Sequence, residues 1–169
     1  MKIIEALKKS KDLLKKADDI KDKIKQHCAD LDNEDPIYPD QKRQISEWLQ
    51  AHCDIIKEIL SLKYRIQKTN VTTDVTIEIG GTFVTKTIAE WIIRRKELAR
   101  LEEQCWASLT ERNLLEKYKQ TTSSNIEKTV KRRLYFDPIE RDKKREIYRS
   151  EPSLIDASLE IVNAVTDLV

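Results

Sequence analysis

The stretch TDVTIEIGGTFVTKTIAE, residues 73–90, decides the fold. Val75, Ile77 and Ile79 alternate with polar residues at the two-residue period of a half-buried strand, and TFVTK follows after Gly80-Gly81. Two strands flanking a Gly-Gly pair read as a β-hairpin with a primed turn. Thr87-Ile-Ala-Glu90 then offers a hydroxyl at the N-cap and a carboxylate three residues on. This is a capping box, and it opens a helix predicted over about 88–116.

Upstream, residues 2–31 place Ile3, Leu7, Ser10, Leu14, Ala17, Ile24, Cys28 and Leu31 in a 4-3 alternation broken only at Lys21. That pattern predicts a long amphipathic, coiled-coil-like helix of ~45 Å. A compact chain of this length has a radius of gyration of ~15 Å, so such a helix would span the molecule. DLDNEDPIYPD at 30–40 breaks it, with Pro36 and Pro39 as punctuation. A second helix is predicted from Asp40 to Lys68, with Ile45, Trp48, Leu49, Ile55, Ile56, Ile59, Leu60, Leu62 and Ile66 as its apolar positions. The short connection makes an antiparallel hairpin of the two.

Downstream, KYKQ and KTVKRRLYF around TTSSN predict a second, weaker hairpin over 117–136. Asp137-Pro138-Ile-Glu140 supplies N-cap, first-turn proline and N3 glutamate for a short basic helix to about Arg149. Pro152 or Ser153 opens the last helix, whose apolar face is Ile155, Leu159, Val162, Val165 and Val169. The predicted fold is mainly α. It is a single helical domain over 1–169, a bundle of long antiparallel helices with β-hairpins inserted near 72–86 and 117–136.

Composition narrows the function classes. Charged residues make up 37% of the 169, while Gly occurs twice and Pro four times, which excludes collagen-like and linker-like chains. Thirty-two basic and thirty acidic side chains leave +2, so no global field draws the chain to nucleic acid or acidic membranes. The charge is uneven, because the window Lys131–Arg149 carries +4 and the remainder −2. Three widely spaced cysteines, Cys28, Cys53 and Cys105, give no disulfide framework. The opening MKIIEALKKSKDLLKK has no continuous apolar stretch, so neither a signal peptide nor a membrane span is expected, and the chain reads as cytoplasmic.

TNVTTDVTIEIGG (69–81), IAEWIIRRKELARLEE (88–103), YFDPIERDKK (135–144) and NAVTDLV (163–169) together resemble the septicolysin-like family of small bacterial and phage proteins. The resemblance runs end to end and implies no particular reaction. The cytolytic activity suggested by the family's name is not carried across, since no secretion signal or membrane-inserting segment is read here.

Catalytic constellations are sparse. The two histidines form His27-Cys28 and His52-Cys53, but a helix hairpin turning near residue 35 sets these pairs ~15 Å apart along its axis. Zinc–ligand bonds are ~2 Å, so no metal site is expected. Both glycines are spent on the hairpin turn, which leaves no phosphate-binding loop. Glu102-Glu103 reads as solvated helix face.

Two arginine clusters remain. In the third helix the apolar stripe Ile88, Trp91/Ile92, Leu98, Cys105, Leu109 is interrupted by Arg95, next to Arg94. A buried guanidinium demands a carboxylate, an anion or the core's edge, so Arg95 reads either as an ion pair with a glutamate across helices or as an anion-binding group beside Trp91. In the second cluster, Arg133 and Tyr135 project from one face of a strand and Arg132 from the other. An aromatic ring beside a guanidinium suits a nucleotide base and phosphate. Arg141 with Lys144 or Arg145 adds cations on one face of the following helix, where Glu140, Asp142 and Glu146 are their alternative partners. The sequence thus predicts a non-enzymatic, homo-oligomeric binding protein, without cofactor, for a small anionic, nucleotide-like ligand. Sequestration of a signalling nucleotide needs affinity and no chemistry, and would suit a phage-borne gene. Nucleic acid is disfavoured as a partner because acids alternate with the bases. The rival class is a structural or protein-interaction module acting through the long helices, and a small cytosolic enzyme ranks third.

Overall fold

Helix α1, Ile3–His27, turns inward at every third or fourth residue, burying Ile3, Ala6, Ser10, Leu13 and Ala17. The computed structural model describes residues 1–31, 33, 35–111 and 133–169. Helix α2, Gln41–Thr72, is capped by Asp40, whose carboxylate accepts from the Arg43 N–H at 2.9 Å. It packs antiparallel to α1. Gln41 Nε2 donates to the His27 carbonyl at 2.8 Å near the connection, and Lys9 pairs with Glu58 at 2.7 Å further along. The buried residues of α2 are Ile59, Leu62, Ile66, Thr69 and Asn70. The expected 4-3 seam of α1 is therefore shifted, since Leu7, Leu14, Cys28 and Leu31 stay exposed. Ala6, Ser10 and Ala17 allow close helix approach around the buried Ile3 and Leu13, and this facing leaves Leu7 and Leu14 on the flank.

The last residues clasp the start of α1. Leu168 N–H donates to the Met1 carbonyl at 2.9 Å, Ile3 N–H to Thr166 at 3.0 Å, and Lys2 Nζ lies 2.7 Å from the Asp167 carboxylate. Val169 N–H reaches the Thr69 hydroxyl at 3.0 Å. Met1–Thr73 and Glu160–Val169 form one compact unit, and Asp74–Leu159 form a second.

In the second unit, β1 (Asp74–Ile79) pairs antiparallel with β2 (Thr82–Thr87), and Ile79 faces Thr82 across the turn. Gly80 and Gly81 have φ of 58° and 83°, the two positive values that a type I′ turn requires. Val75 and Ile77 are buried, while Thr76 and Thr85 join hydroxyls across the outer face at 2.7 Å. Thr87 and Glu90 form the expected capping box, with Glu90 N–H on the Thr87 hydroxyl at 3.2 Å and Thr87 N–H on the Glu90 carboxylate at 2.8 Å.

The helix that follows is not uniform. After α3 (Ile88–Ile93) comes a π-helical turn, Arg94–Leu98, and then α4 (Ala99–Ala107). Ala99 N–H bonds the Arg94 carbonyl, five residues back. One residue is thereby inserted into the helical phase. Trp91 and Ala99 are both fully buried, and the expected stripe residue Leu98 is exposed. Residues 112–116 of the predicted helix, most of the second predicted hairpin, and Arg132 lie outside the described residues.

Helix α5 runs unbroken from Pro138 to Val165, where the sequence suggests a short basic helix and a separate last one. Asp137 caps it, its carboxylate accepting from Ile139 N–H at 2.9 Å. Pro152 lies inside the helix and removes one backbone hydrogen bond, a defect worth about 3 kcal/mol. Packing offsets it: Ile155 and Leu159 are buried after the proline, and Glu151 before it is held by Arg94. The described fold is thus mainly helical with a small antiparallel hairpin inserted.

Candidate functional site

The α1–α2 hairpin presents two unlike flanks. The Lys9–Glu58 pair marks one. Helical spacing puts Leu7 and Leu14 of α1, and Leu49, Ile56 and Leu60 of α2, on the other. All five are exposed, Leu60 by 70%. Leu7 and Leu14 are two turns apart, as are Leu49 and Ile56, so the aliphatic groups form a strip rather than scattered points.

In the second unit, the π turn governs where the arginines go. Arg94 is the deeper one, with 19% of its side chain exposed. Its Nε and Nη2 grip Glu151, which is 1% exposed, and Nη2 also reaches Glu102 at 2.8 Å. Its guanidinium lies 5.9 Å from the centroid of the Tyr148 ring. Hydrogen bonds from Arg94 hold the Glu102 carboxyl below its ordinary range, while burial, then the charge of Glu102, push the Tyr148 hydroxyl up. The acids in turn hold Arg94 firmly protonated. Arg95 pairs with Asp156, an aspartate rather than the expected glutamate.

Beside this network the π turn, α4 and α5 enclose an open cleft of about 570 Å³. Arg95, Lys96 and Arg100 line it from one side, and Arg145 and Arg149 from α5. Glu103 is the acidic group in its wall, and Arg145 holds it at 3.4 Å. Tyr148 and Pro152 complete the lining. Among the described residues, Lys96, Arg100 and Arg149 have no hydrogen-bonded or ionic partner.

The sequence-predicted residues divide accordingly. Arg95 and Arg145 meet in the cleft. Trp91 has no exposed surface and donates its indole N–H to the Val75 carbonyl at 2.9 Å, so it anchors the hairpin to α3. Arg141 bonds Asp142 and the Leu109 carbonyl and covers the Phe136 ring. Arg133 and Tyr135 are exposed, Tyr135 by 89%, and line no part of the cleft, nor does Lys144. Lys96, Arg100 and Arg149 were missed by the sequence reading. Their signal is the i,i+4 spacing of Lys96 with Arg100 and of Arg145 with Arg149. The three cysteines are exposed and free, and no group of three or more His, Cys, Asp or Glu among the described residues is arranged to hold a metal. No helix among them is long and apolar enough to cross a membrane.

No protein-family model matches the chain, and no curated protein does. A solved structure, described as a functionally unknown conserved protein from Corynebacterium diphtheriae, is similar over 100% of this chain and 99% of its own. Its TM-score is 0.60 at 16% identity, a likeness of fold alone.

Proposed function

We propose that the protein is a cytoplasmic interaction module whose α1–α2 hairpin docks on the helices of a second copy of itself. One observation carries this reading: five large aliphatic side chains stand exposed on one flank of the hairpin, outside a seam already filled by Ile3, Leu13, Ile59, Leu62 and Ile66 with small residues between them. Exposed aliphatic groups that line up along a helix pair favour burial against another apolar strip. Two hairpins laid flank to flank make a four-helix arrangement of the common antiparallel kind, and a two-fold axis uses the same strip twice. Such a role needs affinity and no catalysis. Three exposed free thiols suit a reducing compartment.

Light scattering at micromolar concentration tests it. The expected mass is a multiple of 19.9 kDa. Leu14→Glu with Leu60→Glu should return the monomer with helicity unchanged, because both side chains are already exposed. A wild-type mass of 19.9 kDa across the micromolar range would overturn the reading.

A further inference from the structure

We propose that the cleft between the π turn and α5 is a binding site for a small polyanion carrying adjacent phosphoryl groups. The proposal is independent of the docking strip, which lies in the other unit. Five cationic side chains converge on one concavity of about 570 Å³ with a single acidic group among them. Such a volume falls in the range of small-ligand sites. Like charges gathered on a concave wall repel one another and focus a positive potential where an anion would sit.

The arrangement is built rather than incidental. Arg95 and Arg100 are five residues apart, and the five-residue turn from Arg94 to Leu98 brings both to one wall with Lys96. Arg145 and Arg149, one turn apart on α5, supply the other wall. Arg94 does not take part, because Glu151 and Glu102 hold it. Arg95 and Arg145 are each fixed by one carboxylate, Asp156 and Glu103, which leaves further N–H donors on each fork. Lys96, Arg100 and Arg149 make no ion pair within the described residues, so their full donor sets remain for a ligand. Guanidinium forks match the paired oxygens of a phosphoryl group, and several forks on two walls suit more than one such group. Tyr148 and Pro152 add a short, less polar stretch against which an organic portion can rest.

Titration calorimetry with inorganic tripolyphosphate and with a nucleoside triphosphate tests the site, with acetate as the singly charged control. Both phosphates should bind and acetate should not, and affinity should fall as salt rises. Equal affinities assign the site to phosphates alone, and tighter binding of the nucleoside form assigns the organic part to the Tyr148–Pro152 wall. Arg100→Ala and Arg149→Ala should each weaken binding by about tenfold, the effect of losing one charge-assisted contact. Neither residue has a partner within the described fold, so helicity and oligomer mass should not move. Lys57→Ala, on α2, should leave binding unchanged. No heat with either phosphate at millimolar concentration would overturn the proposal. So would an equal loss in Lys57→Ala, which would mean diffuse attraction to a basic surface.

Discussion

Glu151 is the residue on which the second unit's interior turns. A carboxylate at 1% exposure is tolerable only with its charge matched, and Arg94 matches it with two donors. Arg94→Met should therefore cost about 3–5 kcal/mol, because it strands a buried charge. Replacing both residues, Arg94→Met with Glu151→Met, should cost less than the single change, since the buried charge is gone and Glu102, whose side chain is 42% exposed, is left to solvent. Urea unfolding of the two variants reads the difference, and a double variant less stable than the single would refute the pairing argument. The sequence shows that an arginine interrupts the apolar stripe, and it suggests Arg95 and an interhelical ion pair. An ion pair is present there, but Arg94 is the more buried of the two. The residue that decides this, Glu151, lies 57 positions away and looks in sequence like any acid of a charged helix.

At the scale of elements, the hairpin at 74–87 was fully legible, because alternation, Gly-Gly and the capping box each act through neighbours in sequence. Its turn also meets α5. A Cβ on Gly80 would lie 2.8 Å from Ile147 Cδ1 and 3.2 Å from Cγ1 and Cγ2, whereas one on Gly81 would meet nothing within 4 Å. Both positions carry positive φ, so alanine is strained at each. Gly80→Ala should cost about 1–3 kcal/mol from strain and overpacking together, and Gly81→Ala only about 1 kcal/mol. Thermal melts should rank them in that order. Other boundaries were not legible. Pro152 reads locally as a helix start, yet the helix continues through it because the Glu151–Arg94 pair before it and the buried Ile155 and Leu159 after it outweigh one missing bond. The π turn left no mark in composition at all. Nothing in RRKEL distinguishes it from an α-helical segment, and tertiary demands on Trp91 and Ala99 set its phase.

For the molecule as a whole, acid should weaken the fold in part through Glu102. Hydrogen bonding to Arg94 lowers the Glu102 carboxyl from its ordinary 4.5 in the folded state. The unfolded chain therefore takes up that proton first as the pH falls. The stabilisation is complete above about pH 5 and is lost as pH drops through the folded value. Glu102→Gln should flatten the decline below about pH 5, measured by urea unfolding at successive pH values. Equal slopes for variant and wild type would remove Glu102 from the account. The division of the chain after Thr73 had no sequence signal, because helix passes to strand there with no proline, glycine or charge run between them. Likewise, which half of an apolar helix faces its neighbour depends on volumes met in three dimensions. The candidate cleft was half legible: Arg95 and Arg145 stood out, but Arg100 and Arg149 did not, nor did the meeting of Arg95 with Arg145 across 50 positions.

The π turn also fixes where this chain can change length. Trp91 and Ala99 share a side although eight residues separate them, where an unbroken α-helix returns to the same side after seven. The turn holds one residue more than the helix needs to keep its phase. A codon lost within Arg94–Leu98 would leave a regular helix with Ile88, Trp91 and Ala99 still aligned. The same loss in α4 or α5 would rotate every later side chain by about 100°. Insertions and deletions arising in this helix are therefore filtered unevenly, and the five residues of the turn are where the gene can shorten without losing the fold.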